Sequence, residues 1–346
     1  TGSVGPQFDT AAYATAVPES VLHPGRALGH YLANATNDSP TYPSDGVQPT
    51  TWGVLRECLD ERAREYATQV ASTKRLNHPW DLAIDWKAAA GKPRESARSS
   101  ILIPTFRDWR MTVRAVAAVL EHSPGDVEVV VVDNGSPRSI TSILSARFIA
   151  DDRVRIIRLP RNTNFAGGSN LALVESTGEF VVFLNNDTKV RAGWLPPLIQ
   201  ALAEPEVLAA QPLLIYPDET IQSAGTVFSG DGSIPVHLLA GHPIEDASGV
   251  GSLKFDAVTA AAMAIRSDVV LAARGFDPVY VNGMEDVDLC LRLRENPGGH
   301  FVVRPESVVV HHESKTPGRG ANIEPNRLTF LDRWAGRLPG PQVEPW

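Results

Sequence analysis

Four short runs of β-branched and other apolar residues, each ending abruptly in polar residues, dominate the middle of this chain. They are Ser100–Ile103, stopped by Pro104; Glu128–Val132, ending at Asp133; Val154–Leu159, ending near Arg161; and Glu179–Leu184, ending at Asn185-Asn186-Asp187. Between them, Thr112–His122 and Ala166–Glu175 have helical spacing. A continuous apolar strand has no polar face to turn to water, so a sheet of such strands must be covered on both sides. Strands of this kind alternating with helices predict an α/β fold with a mostly parallel sheet flanked by helices. In such sheets the ligand crevice lies outside the carboxyl ends of the strands. The polar residues that end each run are therefore the candidates for function.

A chain of 346 residues can bury that domain and a smaller unit beside it. Residues 1–97 show no strand pattern and read as a mainly helical appendage and linker. Within them Thr51–Ala71 is amphipathic, with Leu55, Cys58, Leu59, Tyr66 and Val70 at helical steps, and Asp81–Ala90 reads as a short helix closed by Gly91 and Pro93. The main domain is expected over 98–314. Its second half is less regular: turns at Gly225, Gly230–Gly232 and Gly249–Gly251, an apolar run at Val258–Ile265, a helix at Glu285–Arg294, and two strands, Phe301–Val303 and Ser307–Val310. The tail, 315–346, is rich in Pro, Gly and Arg and is expected to pack on or near the site.

Lys and Arg total 32 and Asp and Glu 40, a net charge of −8, which argues against a nucleic-acid partner because phosphate backbones demand a basic surface. A small phosphorylated ligand remains compatible with it. Two distant cysteines, Cys58 and Cys290, form neither a disulfide framework nor a thiolate metal site and fit a reducing compartment. No apolar run approaches the ~18 residues of a membrane span, and no secretory signal is visible.

Asp133-Asn134-Gly135-Ser136 ends the second run. It is either an Asx-type turn or a carboxylate and amide placed to bond a nucleobase or ribose. Asn185-Asn186-Asp187-Thr188 is either a turn or a site for Mg²⁺ or Mn²⁺, hard ions that take a carboxylate together with phosphate and water, Asp187 being the principal ligand. Glu285, Asp286 and Asp288 crowd one helix start. The helix dipole accounts for one or two acids there, but three repel one another, and a general base is a further reason for them. Of His311-His312, only one can face the site, because adjacent strand residues point opposite ways. Arg161–Gly168 leads into a helix, and its glycine pair, Gly167-Gly168, is either a tight loop or a backbone approach to phosphate.

Taken in order, Pro104-Thr105-Phe106, Asp133-Asn134-Gly135-Ser136, Asn162-x-Asn-Phe-Ala-Gly-Gly-x-Asn170, Leu184-Asn-Asn-Asp-Thr188, Gly275-Phe-Asp277, Glu285-Asp-Val-Asp-Leu-Cys-x-Arg292 and His311-His-Glu-Ser314 resemble family-two glycosyltransferases of the GT-A (Rossmann-like) fold, and among them the bacterial rhamnosyltransferase-like branch. The resemblance covers residues 99–335. It implies a nucleotide-diphosphate sugar donor, UDP- or dTDP-linked, a divalent cation, Mn²⁺ or Mg²⁺, and inversion at the anomeric carbon. It implies Asp286 as base with Glu285 beside it, and Asp187 and His311 as metal ligands. Pro104, Thr105, Arg107, Asp133, Asn134, Asn164, Gly167, Asn170, Asn185 and Asn186 are the implied nucleotide-sugar contacts. Asn164 stands where that branch commonly has Gly, and Asn185 where a strict DxD motif has its first acid. Asn326-Arg327 and Arg333-Trp334 loosely resemble an Arg-Trp element of processive members, without its QxxRW pattern.

The expected acceptor is a hydroxyl of a glycan, lipid-linked glycan or small molecule. The expected location is the cytoplasm or the inner face of a membrane, with peripheral association and a homo-oligomer both compatible with it. Two other classes compete: a nucleotidyltransferase, disfavoured because Ile103–Phe106 offers no basic Gly-rich loop, and a non-catalytic nucleotide-sugar or glycan binder.

Overall fold

The computed structural model describes residues 15–17, 82–123, 125–228, 234–313 and 322–340. The chain divides into two compact units, Thr1–Arg75 with Pro345–Trp346, and Leu76–Glu344. The amphipathic segment Thr51–Ala71 lies outside the described residues. Residues 82–97, grouped with the appendage by composition, are part of the second unit. Helix α1 (Trp86–Ala90) is capped by the Asp85 carboxylate, which accepts from the Ala88 N–H, and Ala89 is buried in the core.

From there the elements alternate: β1 (Glu95–Thr105), α2 (Trp109–His122), β2 (Val127–Asp133), α3 (Arg138–Phe148), β3 (Val154–Arg158), α4 (Asn164–Glu175), β4 (Gly178–Leu184) and β5 (Thr188–Val190). Then come α5 (Leu195–Ala201), β6 (Val207–Ile215), β7 (Ile221–Ser223), β8 (Thr226–Val227), β9 (Val236–His237), a 3₁₀ segment (Ile244–Ser252), β10 (Ala262–Arg266), α6 (Ser267–Ala272), α7 (Glu285–Glu295), β11 (His300–His311) and α8 (Ile323–Trp334). Strands pair in the order β3-β2-β1-β4-β10-β6-β11-β5, with β7 on β6 and a separate β8-β9 pair.

The four apolar runs form the parallel half, β3-β2-β1-β4. All seven residues of β2 are buried. Alternate side chains fill two cores: Leu102, Val130 and Phe183 on one face, Ile101, Val129 and Val182 on the other. The expected double covering is met.

The other half is mixed. β6 and β11 are parallel, but β10 lies antiparallel to both β4 and β6, pairing Ala262 with Leu184. Its amino-terminal end therefore meets the carboxyl end of β4, and the preceding Thr259-Ala260-Ala261 reaches the same edge as Asn185–Asp187. The apolar run at 258–265 is thus half loop and half strand. The two strands expected at 301–303 and 307–310 are one strand, β11, whose register against β6 slips between Arg304 and Val308. Arg304-Pro305-Glu306 interrupts the apolar pattern there, because Pro has no ladder donor and is accommodated at a bulge.

Gly135 is where the fold demands glycine. Its φ is +79°, and a Cβ there would stand 2.3 Å from the Arg161 carbonyl carbon. Gly135→Ala combines left-handed strain with overpacking and should lower stability by about 2–4 kcal/mol, read as a shifted denaturant midpoint with an unchanged slope.

Candidate functional site

A cleft of about 410 Å³ opens along the carboxyl edge of the sheet. One wall comes from the ends of β1 and β2 and the loop into α4: Pro104, Thr105, Phe106, Asn134, Asn162, Asn164 and Phe165. Asn185, Asn186, Asp187 and His311 line its middle, and Thr259–Ala261, Asn282, Gly283, Glu285 and Asp286 line another side. Tyr216, Gln222, His237 and Glu313 complete it. The ends of β1, β4 and β11 and the start of α7, distant in sequence, thus share one cavity.

Asp187 and His311 form its most distinctive pair. Both are buried, and His311 Nε2 stands 3.1 Å from Asp187 Oδ1. His311 Nδ1 faces Gln222 Oε1 at 2.6 Å. A carbonyl oxygen only accepts, so Nδ1 carries a proton, and this bond turns Nε2 toward Asp187 and the Asn185 amide, 3.3 Å away. Orientation of a metal-ligating imidazole through its second nitrogen is the usual arrangement. Two ligands of an octahedral ion at about 2.1 Å each stand about 3 Å apart, so this pair fits a divalent cation. Among the described residues no group of three His, Cys, Asp or Glu could hold a metal, so further ligands would come from a bound ligand or water. His312 is exposed, and its N–H donates to the Asp187 carbonyl at 3.0 Å.

The three acids at the start of α7 diverge. Asp286 Oδ2 accepts from Thr259 Oγ1 (2.9 Å) and the Ala260 N–H (3.1 Å), and Oδ1 accepts from the Val287 N–H (2.9 Å). These donors take three of the four or so acceptor positions of a carboxylate. Thr259 is in turn held by the buried Gln211, whose Oε1 accepts its N–H. Glu285 accepts from the Gly283 N–H. Asp288 is fully buried and faces away from the cleft. Tyr280 (3.1 Å), Arg333 (2.8 Å) and Trp334 (3.0 Å) donate to one of its oxygens and Arg292 (2.8 Å) to the other. Burial, and then the Asp288 charge, push the Tyr280 phenol far above its ordinary range. Burial alone would lower the Arg333 pKa, but Asp288 and its neighbours raise it. The expected crowding is thus relieved, and the third acid is structural.

Several expected contacts lie elsewhere. Asp133 does not line the cleft: its carboxylate accepts from the Ser136 N–H (3.0 Å) and the Thr141 hydroxyl, with Arg158 at 4.0 Å. Asn134 lines the cleft, but its amide accepts from the Thr163 N–H and donates to the Asn164 carbonyl, both at 2.7 Å. It ties the α4 loop rather than reaching outward. Gly167 and Gly168 lie inside α4, where the Gly167 N–H is taken by the Thr163 carbonyl. Gly168 serves close packing, since a Cβ there would meet Asn134 and Pro104 at 3.1 Å. Asn170 holds Phe276 by two backbone hydrogen bonds. Arg107 is exposed, its guanidinium 4.7 Å from the Phe106 ring centre. Asn186 donates weakly to Thr105 and Thr112.

Asn164 adopts φ +57°, a left-handed conformation that Asn tolerates better than most residues. It can therefore occupy a position suited to Gly. Its Nδ2 is buried without a hydrogen-bond partner among the described residues, a costly state unless a ligand satisfies it.

Tyr216, Gln222 and His237, also in the lining, belong to no motif and come from loops or short strands of the irregular half, while Glu313 stands inside the His311–Ser314 motif without having been given a role. Partial desolvation in the cleft lowers the His237 pKa, opposed by the charges of Asp286 and Glu313.

Asp288→Ala should cost about 1–3 kcal/mol, because it leaves the buried Tyr280 hydroxyl and Trp334 N–H without their acceptor. Asp286→Asn should shift the denaturation midpoint far less. Parallel urea titrations of the two variants check the contrast.

Residues 100–237 match the family described as Glycosyl transferase family 2. An O-antigen biosynthesis protein, RfbC of Myxococcus xanthus, is 30% identical over 262 residues, 73% of this chain and 20% of that protein. The chain spans 25% and 20% of the lengths of the two curated relatives that share 35% and 30% identity with it. Among solved structures, GalNAc-T7 with UDP, GalNAc and Mn²⁺ aligns with a TM-score of 0.54 at 15% identity, covering 68% of this chain and 47% of that one. The mannosyltransferase PcManGT of Pyrobaculum calidifontis, in complex with GDP-Man and Mn²⁺, aligns with a TM-score of 0.53 at 17% identity, covering 83% and 76%. The structural likenesses agree with the α/β sheet and show a GT-A-like fold, within which residues 100–237 match a glycosyl transferase family 2 domain.

Proposed function

We propose that this chain transfers a sugar from a nucleoside-diphosphate sugar to an acceptor hydroxyl, with inversion, and that a divalent cation assists. The observation that carries this is the presence of the Asp187–His311 pair and the Asp286 carboxylate in one cleft. The family match and the nucleotide complexes of the structural neighbours support it.

In this reading the donor nucleoside lies along the wall of Pro104, Thr105, Phe106 and Asn162. The unpartnered Asn164 amide donates to the donor. Asp133 and Asn134 act indirectly, by shaping the loops of that wall. Asp187 and His311 hold Mn²⁺ or Mg²⁺, which when bound offsets the charge that develops on the leaving diphosphate. Asn185 and Asn186 border that pair. Asp286 accepts the acceptor proton as the hydroxyl oxygen attacks C1 and the bond to the diphosphate breaks. Thr259 and Ala260 hold Oδ2, so the remaining acceptor position of Asp286 faces the incoming hydroxyl. Glu285 shapes the adjacent loop through Gly283.

The likeness to an O-antigen biosynthesis protein supports a cell-surface glycan as acceptor, and a place in the rhamnosyltransferase-like branch, carried by the motif resemblance, is part of the same proposal. No helix among the described residues is long and apolar enough to cross a membrane. A cytoplasmic site of action, with acceptors met at the inner membrane face, is part of this proposal, as is an N-terminal region that handles the acceptor or a partner.

A thermal-shift screen of UDP-glucose, UDP-N-acetylglucosamine, GDP-mannose and dTDP-rhamnose with Mn²⁺ identifies the donor, because a bound ligand stabilises the folded state. Asp286→Asn should then reduce turnover by about 10²–10⁴-fold with nearly unchanged affinity for the matching nucleoside diphosphate. Near-normal turnover would remove Asp286 as the base. Gln222→Ala, which frees the His311 ring, should weaken Mn²⁺-dependent nucleotide binding by about 10–100-fold. Calorimetry with and without EDTA reads that loss, and equal affinities in both conditions would dismiss the metal site.

A further inference from the structure

We propose that α8 is a brace for the segment Val281–Asp286 and that Asn326 is its main positioning residue; the consequence for turnover rests on the reading of Asp286 as the base. Three consecutive residues of this segment have positive φ: Asn282 (+55°), Gly283 (+156°) and Met284 (+73°). Two of them are not glycine, and such a conformation persists only where its surroundings hold it.

Asn326 supplies that hold. It is nearly fully buried, and it does not line the cleft. Its Oδ1 accepts from the Val281 N–H at 3.0 Å and its Nδ2 donates to the Val281 carbonyl at 2.9 Å. One amide thus reads both backbone groups of one residue, which sets that residue's position and its orientation together. Gly283 packs on the same amide, since a Cβ there would stand 3.3 Å from Asn326 Nδ2. Two helical turns further along α8, Arg333 and Trp334 donate to Asp288, and Arg333 also to Asp277. A single helix therefore grips the acidic segment at both ends, Val281 and Asp288, with Asp286 between them. On the cleft side, Asn282 Oδ1 accepts from the Phe165 N–H at 3.0 Å. The braced segment is thereby tied to the α4 loop on another wall of the cleft. The tail helix, although it lies outside the cleft lining, determines where the base stands relative to the donor wall.

The test compares Asn326→Ala, Asn326→Asp and the control Thr329→Ala, at a half-buried residue whose hydroxyl donates to the Pro325 carbonyl of its own helix. Turnover of UDP-glucose, UDP-N-acetylglucosamine, GDP-mannose and dTDP-rhamnose, affinity for UDP, GDP and dTDP with Mn²⁺, and amide hydrogen exchange are measured on the full chain. Asn326→Ala should lower kcat on the order of 10–100-fold, since small misplacements of a reacting group have effects of that size. Nucleotide affinity should stay within about twofold, because the Pro104–Phe106 wall does not touch α8 through Asn326. Faster exchange should be confined to residues 281–287. Asn326→Asp keeps the acceptor for the Val281 N–H and should lose less, and it carries the test if the alanine variant does not fold. Thr329→Ala should match the wild type. Unchanged exchange at 281–287 in Asn326→Ala, or kcat and nucleotide affinity falling together, would overturn the proposal. If the wild-type chain turns over none of the four sugars, the catalytic reading fails, and the exchange measurement alone decides whether Asn326 holds the segment.

Discussion

Both faces of the central sheet are dry, and this constraint pushes polar function to the sheet's edge. Strands such as β2, buried along their whole length, leave no place between the cores for a carboxylate that must meet substrate. The carboxyl ends of the parallel strands are where the chain first regains polar residues. The antiparallel insertion of β10 turns that edge into a cleft with more than one wall. It delivers Thr259–Ala261 beside the end of β4, where they receive Asp286 from α7. A fully parallel sheet would carry this end of β10 to the opposite edge.

The second constraint is the buried charge of Asp288. A carboxylate with no exposure is tolerable only when its hydrogen bonds are complete. Here Arg292 of its own helix, Tyr280 of the preceding loop, and Arg333 and Trp334 of α8 supply them. Three parts of the chain meet at one group, and the amino-terminal end of α7 is thereby held against the core. The neighbours of Asp288 can then turn toward the cleft without all three charges sharing one space. Cys290, on the same helix, is fully buried, and burial pushes its thiol well above its ordinary range. It behaves as packing.

Many of the residues picked out by reading motifs along the chain line one cleft, but what their side chains bond was less legible. Asp187, Asp286 and His311 were visible because each follows or begins a strongly patterned element. Asp133 carried the same signal, a polar residue after an apolar run, yet its side chain turns back to Ser136, Thr141 and Arg158. Strand position says where a residue's backbone ends up, but not whether local donors capture its side chain. Gly167 and Gly168 show the same gap, since glycine suits a phosphate loop and close packing equally. Gln222, His237 and Tyr216 were invisible because they come from short strands and turns whose positions depend on distant pairing partners.

By itself the sequence determined the alternation of strands and helices, the two dry cores and the list of polar strand ends, because burial periodicity and turn chemistry are local properties. It also carried the family resemblance, an ordered set of motifs. Only the tertiary structure decided that β10 runs backward, that His311 rather than His312 faces Asp187, that Asp288 supports while Asp286 lines the cleft, and that α8 grips the acidic segment. Each of these depends on which groups meet across long stretches of chain or across a sheet. Pairing energies between such distant groups leave no mark on any local pattern.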